Sequence, residues 1–130
     1  MSYNDERRVI ESYILDNWGP TDPHLEMSNS VSQTYTDVWV RATIQSGQTN
    51  QVSLGDAPLY RAKGILYFQI FCKPNMGEGA SLEVADKLVA LFKSKRIGDI
   101  LFYPPELHRV GVEANWYQIN LTFKYQREEQ

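Results

Sequence analysis

The sequence predicts an α+β fold: a mixed, mostly antiparallel β-sheet with two α-helices packed on one face. Two segments carry apolar residues at the spacing of amphipathic helices, and about five carry them at the two-residue spacing of strands. Strands neighbour one another in sequence at both ends of the chain, which favours the α+β class. The length of 130 residues fits a single domain over residues 1–130.

The first helix is predicted near Tyr3–Asn17. Asn4 or Asp5 is the expected N-cap, because their side chains accept hydrogen bonds from the free backbone amides of a first turn. Gly19 and Pro20 follow the helix and stop it. The predicted buried stripe consists of Val9, Ile10, Tyr13 and Ile14.

The next part of the chain is predicted to form strands separated by two loops. His24–Met27 is a short strand, and the polar segment Ser28–Thr36 is predicted to be a loop. Asp37–Gln45 alternates apolar and polar residues, as a half-buried strand does. Ser46–Pro58 is rich in Gly, Gln, Asn and Ser, so we expect a long functional or mobile loop. Ala62–Cys72 is apolar on both sides, which predicts a central strand that is covered on both faces.

A glycine loop and a second helix follow. Ser81 is the predicted N-cap of a helix over Ser81–Lys95, and Gly98 is predicted to end it. The expected buried stripe is Leu82, Ala85, Leu88, Val89 and Phe92. Three more strands are predicted, at Ile100–Tyr103, Leu107–Val112 and Trp116–Tyr125.

One face of the predicted sheet is too polar to be a second core layer. Its residues are the outward-pointing ones of two strands, namely Trp39, Arg41, Thr43, Gln118, Asn120, Thr122 and Lys124. Such a face suits solvent or a hydrated subunit interface.

Bulk properties exclude several classes of protein. The formal charge of −3 and the pI near 5.3 argue against binding a nucleic-acid backbone. No apolar run approaches the roughly 20 residues of a membrane-spanning helix, and the N-terminal residues lack the apolar core of a signal peptide. The single cysteine, Cys72, excludes an intramolecular disulfide. We therefore expect a cytoplasmic site of synthesis and no membrane partner.

The sequence gives little support to an enzyme or to a bound cofactor. His24-x-Glu26 and Glu106-x-His108 each place two potential metal ligands on one side of a strand, but unrelated surface polar residues are the favoured interpretation. Cys72 lies in an apolar strand, which predicts a buried inert thiol. Gly77-Glu78-Gly79 before the second helix is best interpreted as a tight turn, because its spacing misses the dinucleotide fingerprint. We predict no catalytic, cofactor-binding or metal-binding residues.

The order of elements from Arg61 to Tyr125 resembles the tail-terminator-like proteins of long-tailed bacteriophages. The resemblance begins in the strand Arg61-x-x-Gly64-x-Leu66-x-x-Gln69-Ile70-Phe71 and continues in the loop Gly77-Glu78-Gly79-Ala80. It extends through the helix Leu82-x-x-Ala85-Asp86-x-Leu88-x-x-Leu91-Phe92 to the closing strand that opens with Trp116-Tyr117-Gln118-Ile119. It is looser over the first sixty residues, where the helix and the strand Asp37–Arg41 stand in the expected places.

The resemblance implies a virion structural protein without an active site. Members of this family form a ring, typically of six subunits, on the last ring of the tail tube, where they end tube polymerisation and present a surface for head completion. The implied partners are further copies of the chain, the major tail tube protein and a head-completion or neck protein. DNA passes through the pore of the ring without specific binding. The implied location is the virion tail, assembled in the host cytoplasm.

Four residues are candidate subunit contacts in such a ring: Trp39, Arg41, Arg61 and Arg96. Two alternatives stay open at this point. One is another phage structural protein, a head–tail connector, neck or minor tail protein. The other, from a different class, is a small cytoplasmic enzyme or ligand-binding domain that uses a pocket between helices and sheet.

Overall fold

The α+β class is confirmed in a computed structural model of the chain, which describes residues 2–27, 37–55, 58–75, 77–113 and 115–129. The predicted loop Ser28–Thr36 lies outside the described residues. The elements in chain order are α1 (Tyr3–Asn17), β1 (His24–Met27), β2 (Val38–Gln51), β3 (Tyr60–Cys72), α2 (Gly79–Phe92), β4 (Arg96–Ile97), β5 (Ile100–Phe102), β6 (Glu106–Glu113) and β7 (Trp116–Glu129).

All described strands belong to one mixed, mostly antiparallel sheet. Its order is β1-β2-β3-β7-β5-β4, and β6 also pairs with β7. Among the described strands only β1 and β2 run parallel. The long strands β3 and β7 pair along their whole length and form the centre of the sheet. Two strands share the other edge of β7, because β6 pairs with its first half and β5 pairs with residues near its end.

The core lies between one face of the sheet and the two helices. Alternate residues of the three long strands point to this face, since the register places Val40, Ile70 and Ile119 side by side. Helix α1 contributes Ile10 and Ile14, as predicted from its stripe. The buried residues of α2 are Ser81, Val84, Ala85, Leu88 and Phe92. Leu82 and Val89, which the sequence placed in the buried stripe, are only partly buried.

Helix α1 spans the predicted range, but its N-cap is Ser2 rather than Asn4 or Asp5. The Ser2 hydroxyl accepts a hydrogen bond from the Asp5 amide, and the Asp5 carboxylate accepts one from the Ser2 amide. This capping box satisfies two backbone donors with a single pair of residues. Asp5 is therefore the third residue of the first turn, where its charge also complements the helix dipole.

The predicted bounds of the second helix, Ser81–Lys95, were wrong at both ends. Helix α2 begins two residues earlier, and Ser81 is fully buried in its first turn with its hydroxyl bonded to the carbonyl of Glu78. At the other end the helix stops at Phe92, Lys93 is its C-cap, and the left-handed φ of 53° at Ser94 turns the chain away. Gly98 does not end the helix, because its φ of 60° serves the turn between β4 and β5.

The first six residues of the predicted loop Ser46–Pro58 belong to strand β2 and not to a loop. Strand β2 continues to Gln51, and Thr49, Asn50 and Gln51 pair with the first residues of β3. A register shift between Ser46 and Thr49 marks a β-bulge. The bulge and the absence of apolar residues hide the two-residue period, which explains why the sequence pattern indicated a loop.

A buried ion pair joins the start of the chain to its last strand. The guanidinium of Arg127 donates to the Glu6 carboxylate at 3.0 Å, and both side chains are buried. The Tyr3 ring lies against the same guanidinium, 5.3 Å from its central carbon. Nearby, Tyr125 pairs with Gly64 across the two central strands and its ring covers the glycine.

Candidate subunit interface

No described helix packs on the outer face of the sheet, the side opposite the core. The register brings β2, β3, β7 and β6 together there, in rows such as Arg41, Gln69, Asn120 and His108. The face is less polar than two strands alone predicted, because β3 adds the half-buried residues Ile65, Tyr67 and Phe71. A mixture of aromatic, amide and cationic groups is typical of hydrated protein interfaces.

Trp39 and Arg41 belong to one aromatic cluster on the outer face. The Trp39 ring stacks on Phe71 at 4.2 Å between centroids and meets the edge of Trp116 at 5.9 Å. The Arg41 guanidinium lies over the rings of both Trp39 and Phe71, at 5.2 and 5.9 Å. Trp39 is buried beneath the neighbouring side chains of this surface, whereas half-buried Arg41 is partly exposed to solvent.

Arg41 also contacts a carboxylate on the neighbouring strand. Its guanidinium lies 3.5 Å from the carboxylate of buried Glu26, which is its register partner on β1. The cation is thus held between the carboxylate and the two aromatic rings, and its position on the face is fixed by both.

Arg61 and Arg96 lie at the other end of the outer face. Arg61 is paired with Glu128 of β7 at 2.9 Å, and both side chains are partly exposed. Arg96 is exposed on β4 and lines a cleft with Asp99, Gln126 and Glu128. The carboxylate of Glu128 therefore pairs with Arg61 and belongs to a residue that lines the same cleft as Arg96.

The structure brings the four candidate contacts together in two pairs rather than one group. Arg61 and Gln69 are eight residues apart on β3, which corresponds to roughly 26 Å, and Gln69 is the register partner of Arg41. One pair is consequently an aromatic cluster around Arg41 and the other a cluster of exposed charges near Glu128.

Strand β6 is exposed on both sides, which the sequence did not predict. Of its eight residues only Gly111 is partly buried. The apolar side chains of Leu107, Val110 and Val112 are 40%, 42% and 67% exposed. A second bulge, between Arg109 and Gly111, interrupts its pairing with β7. An uncovered strand of this kind is characteristic of a surface that meets another protein.

A cluster of Glu78, Arg109 and Tyr117 ties β6 and β7 to the start of α2. The Glu78 carboxylate accepts hydrogen bonds from the Tyr117 hydroxyl at 2.7 Å and from Arg109 at 2.8 Å. These two bonds, that of Tyr117 first, lower the pKa of Glu78, and the same carboxylate raises the pKa of Tyr117. One signal could have indicated this cluster from the sequence: Arg109 and Tyr117 both have the parity of the helix-covered face.

The potential metal ligands of the sequence are far apart. Glu26 and His108 stand in the same row of the sheet but on its opposite edges, four strand spacings or about 19 Å apart. The described residues contain no group of three or more His, Cys, Asp or Glu side chains arranged to hold a metal ion. Cys72 is buried, as its apolar strand predicted.

None of the helices among the described residues is long and apolar enough to cross a membrane. No family model matches the chain, and no curated protein matches it. Among solved structures, one with a name that states no function is similar over 100% of this chain and 98% of its own, with a TM-score of 0.75 and 18% sequence identity. At that identity the likeness shows the fold alone, and it agrees with the mixed sheet and two helices described above.

Proposed function

We propose that this protein is a phage virion structural protein that caps the tail tube as a ring, ends tube polymerisation and forms the surface for head–tail joining. The observation that carries the proposal is the resemblance from Arg61 to Tyr125 in the order and spacing of strand, glycine loop, helix and closing strand. Further copies of the chain, the major tail tube protein and a head-completion or neck protein are the proposed partners, in the virion tail.

The surface of the domain supports assembly into a ring. A closed ring needs two different complementary patches on each subunit, because its contacts are heterologous. The described surface has separate candidate patches: the aromatic cluster around Arg41, the charged cluster around Arg61 and Arg96, and exposed β6. Several of these groups are polar or charged, which keeps an unassembled subunit in solution.

The charge of the chain supports a pore through which DNA moves. A surface rich in Lys and Arg would hold the phosphate backbone through many ionic contacts. The formal charge of −3 makes such retention weak. A ring of this protein therefore suits passage of DNA without binding.

Deletion of the gene in its phage tests the proposal. Loss of the tail cap should give overlong tails that are not joined to heads, visible by electron microscopy of lysates. The gene supplied in trans should restore normal tails. Tails of normal length that lack a collar or tip would instead support the neck, connector or minor tail protein.

A ligand-binding domain is the candidate from another class, and one observation favours it. A cleft of about 310 Å³ lies beside Glu78 and Tyr117, whose pKa values are shifted by their mutual hydrogen bond. The mass of the protein in solution separates the classes. A ring-forming protein should give concentration-dependent oligomers in native mass spectrometry, whereas a strict monomer that a small molecule stabilises would favour ligand binding.

A further inference from the structure

The unpaired edge of β6 is an open template for another strand. β6 pairs with β7 on one side, and no other described strand pairs with it. It contains neither Lys nor Pro, so the features that restrict pairing at this edge are the charges of Glu106, Arg109 and Glu113 and the bulge between Arg109 and Gly111. Its exposed apolar side chains would lose contact with water beside a partner strand, while the backbone groups would gain hydrogen bonds.

Among the described residues, a second open edge lies on the opposite side of the sheet, on β2. β1 pairs only with Trp39–Ala42, and no described strand pairs with the outer edge of Gln45–Gln51. All of these residues except Thr49 are exposed, and none carries a charge. The two open edges therefore belong to different strands on opposite sides of one subunit.

Charge disfavours symmetric pairing of β6 with β6 of a second copy. A two-fold antiparallel pair over the whole strand would place Glu106 of each copy opposite Glu113 of the other. Like charges directly opposite destabilise a strand pair. The edge of β2 offers no such repulsion, and exposed Lys63 lies on the outer face of the adjoining strand, the side to which Glu106 and Glu113 point.

We propose that β6 of one subunit pairs with the Gln45–Gln51 edge of β2 in a second copy of this chain, so that the sheets of neighbouring subunits join. This inference rests on the proposed ring and names its contact surface. The contact is heterologous, so repeated copies either close into a ring or extend as a filament. One pair of short strands buries less than the roughly 1,200 Å² of a standard interface, so each contact is weak and closure holds the assembly.

Oxidative cross-linking between cysteine variants tests the pairing. His108→Cys is mixed with Gln45→Cys, Gln48→Cys or Asn50→Cys, and native Cys72 stays because it is buried. A disulfide requires Cα atoms within about 7 Å, so at least one mixture should give a dimer while no single variant cross-links with itself. A chain that carries both cysteines should give a ladder of oligomers. Leu15→Cys, at a position 72% exposed on α1, is the control partner.

Two lysine variants supply an independent measurement. Val110→Lys and Val112→Lys place a charge on exposed β6 and should weaken self-association about tenfold in sedimentation velocity, without changing the circular dichroism spectrum. Leu15→Lys is the matched control and should have no effect.

The outcomes separate the pairing from the tail-cap function. Oligomers that respond to neither the cysteines nor the lysines would overturn the β6–β2 contact and leave the ring intact. Equal cross-linking to Leu15→Cys would also overturn the contact. A wild-type protein that stays monomeric at every concentration would overturn both the contact and the ring. If instead the pairing is found and gene deletion leaves tail length normal, the contact is correct and the tail-cap function is wrong.

Discussion

At the scale of single residues, Gly64 is fixed by the aromatic ring beside it. A Cβ atom at this position would lie 2.3 Å from the Tyr125 hydroxyl oxygen and 2.9 Å from the carbonyl oxygen of Gln45. Tyr125 is buried in the core, so it has little room to move. The ring in turn covers the glycine and protects the backbone between the two central strands.

Gly64→Ala should therefore lower the free energy of unfolding by about 1–3 kcal/mol, the usual cost of an overpacked core. Gly79→Ala is the control, since a Cβ there meets nothing within 4 Å and the residue lies in a helix. That variant should be neutral or up to about 1 kcal/mol more stable. Urea denaturation measures both, and an equal effect at the two glycines would show that Tyr125 does not restrict Gly64.

The buried Glu6–Arg127 pair should be sensitive to loss of one partner. Glu6→Gln removes the negative charge that contacts the buried guanidinium of Arg127 and should cost about 3–5 kcal/mol. Glu11→Gln on the same helix breaks the exposed pair with Arg7 and should cost less than about 0.5 kcal/mol. Replacing both Glu6 and Arg127 by Met should recover most of the loss. A small effect of Glu6→Gln in thermal denaturation would show that this ion pair contributes little to the free energy of unfolding.

The stability that the Glu78 cluster contributes should decrease at acidic pH. Its folded-state pKa is lowered, so the stability that it contributes is present above the unfolded pKa and is lost as the pH falls through the lowered value. Tyr117→Phe removes the largest cause and should raise the Glu78 pKa, measured by NMR titration of the carboxyl carbon. Tyr103→Phe, at an exposed tyrosine outside the cluster, should leave it unchanged. An unshifted pKa in Tyr117→Phe would show that this hydrogen bond is absent in solution.

Side-chain periodicity predicted much of the core but few of the polar contacts. Ile10, Ile14, Leu88 and Phe92 are buried as their spacing indicated. Glu6 was not expected inside, because an acidic residue in a first helical turn is normally solvated and its partner stands 121 residues away. Ser81 was wrongly predicted to be a helix cap. Its burial depends on packing against the sheet, which the neighbouring residues in the sequence do not indicate.

At the scale of elements, the extension of β2 is the largest difference from the predicted structure. The amide of Val52 donates to the carbonyl of Leu59 at 2.7 Å, beyond the last ladder pair of β2 and β3. We therefore expect slowed hydrogen exchange for Val52 and for the amides of Thr49–Gln51 that point to β3, in the isolated subunit. If the amides of Thr49–Val52 exchange as fast as those of an unfolded chain, the segment is a loop in solution.

Element boundaries were harder to predict than element types. The two helices and all the long strands are present, because their apolar periods extend over many residues. Helix α2 begins at Gly79 because burial of Ser81 and Val84 overrides the low helix propensity of glycine. The exposure of β6 was not predictable from alternation, since Leu107 and Val112 have the parity of a covered face that the helices do not reach.

At the scale of the whole molecule, charge reversal separates assembly from folding. Arg96→Glu changes an exposed side chain of the charged cluster and should weaken the ring without changing thermal stability. Arg8→Glu, at an exposed position of helix α1, is the control. Arg61→Glu alone also breaks the contact with Glu128, so it is combined with Glu128→Arg, which keeps the internal pair. Ring formation is measured by native mass spectrometry. If the Arg96→Glu variant and the Arg61→Glu, Glu128→Arg double variant both form rings as the wild type does, this cluster is not a subunit contact.

The central position of β7 has a consequence for the order of events during synthesis. β7 is made after β3, β5 and β6, the three strands with which it pairs. A ribosome-bound chain that lacks β7 can form local helices and the β2–β3 hairpin, but it has neither the middle of the sheet nor the partner of Glu6. The fold is completed only after the ribosome has translated residue 129 and that strand has left the exit tunnel. A chain that stops before that point lacks the middle strand of the outer face, so we expect it to be unable to form the proposed subunit contacts.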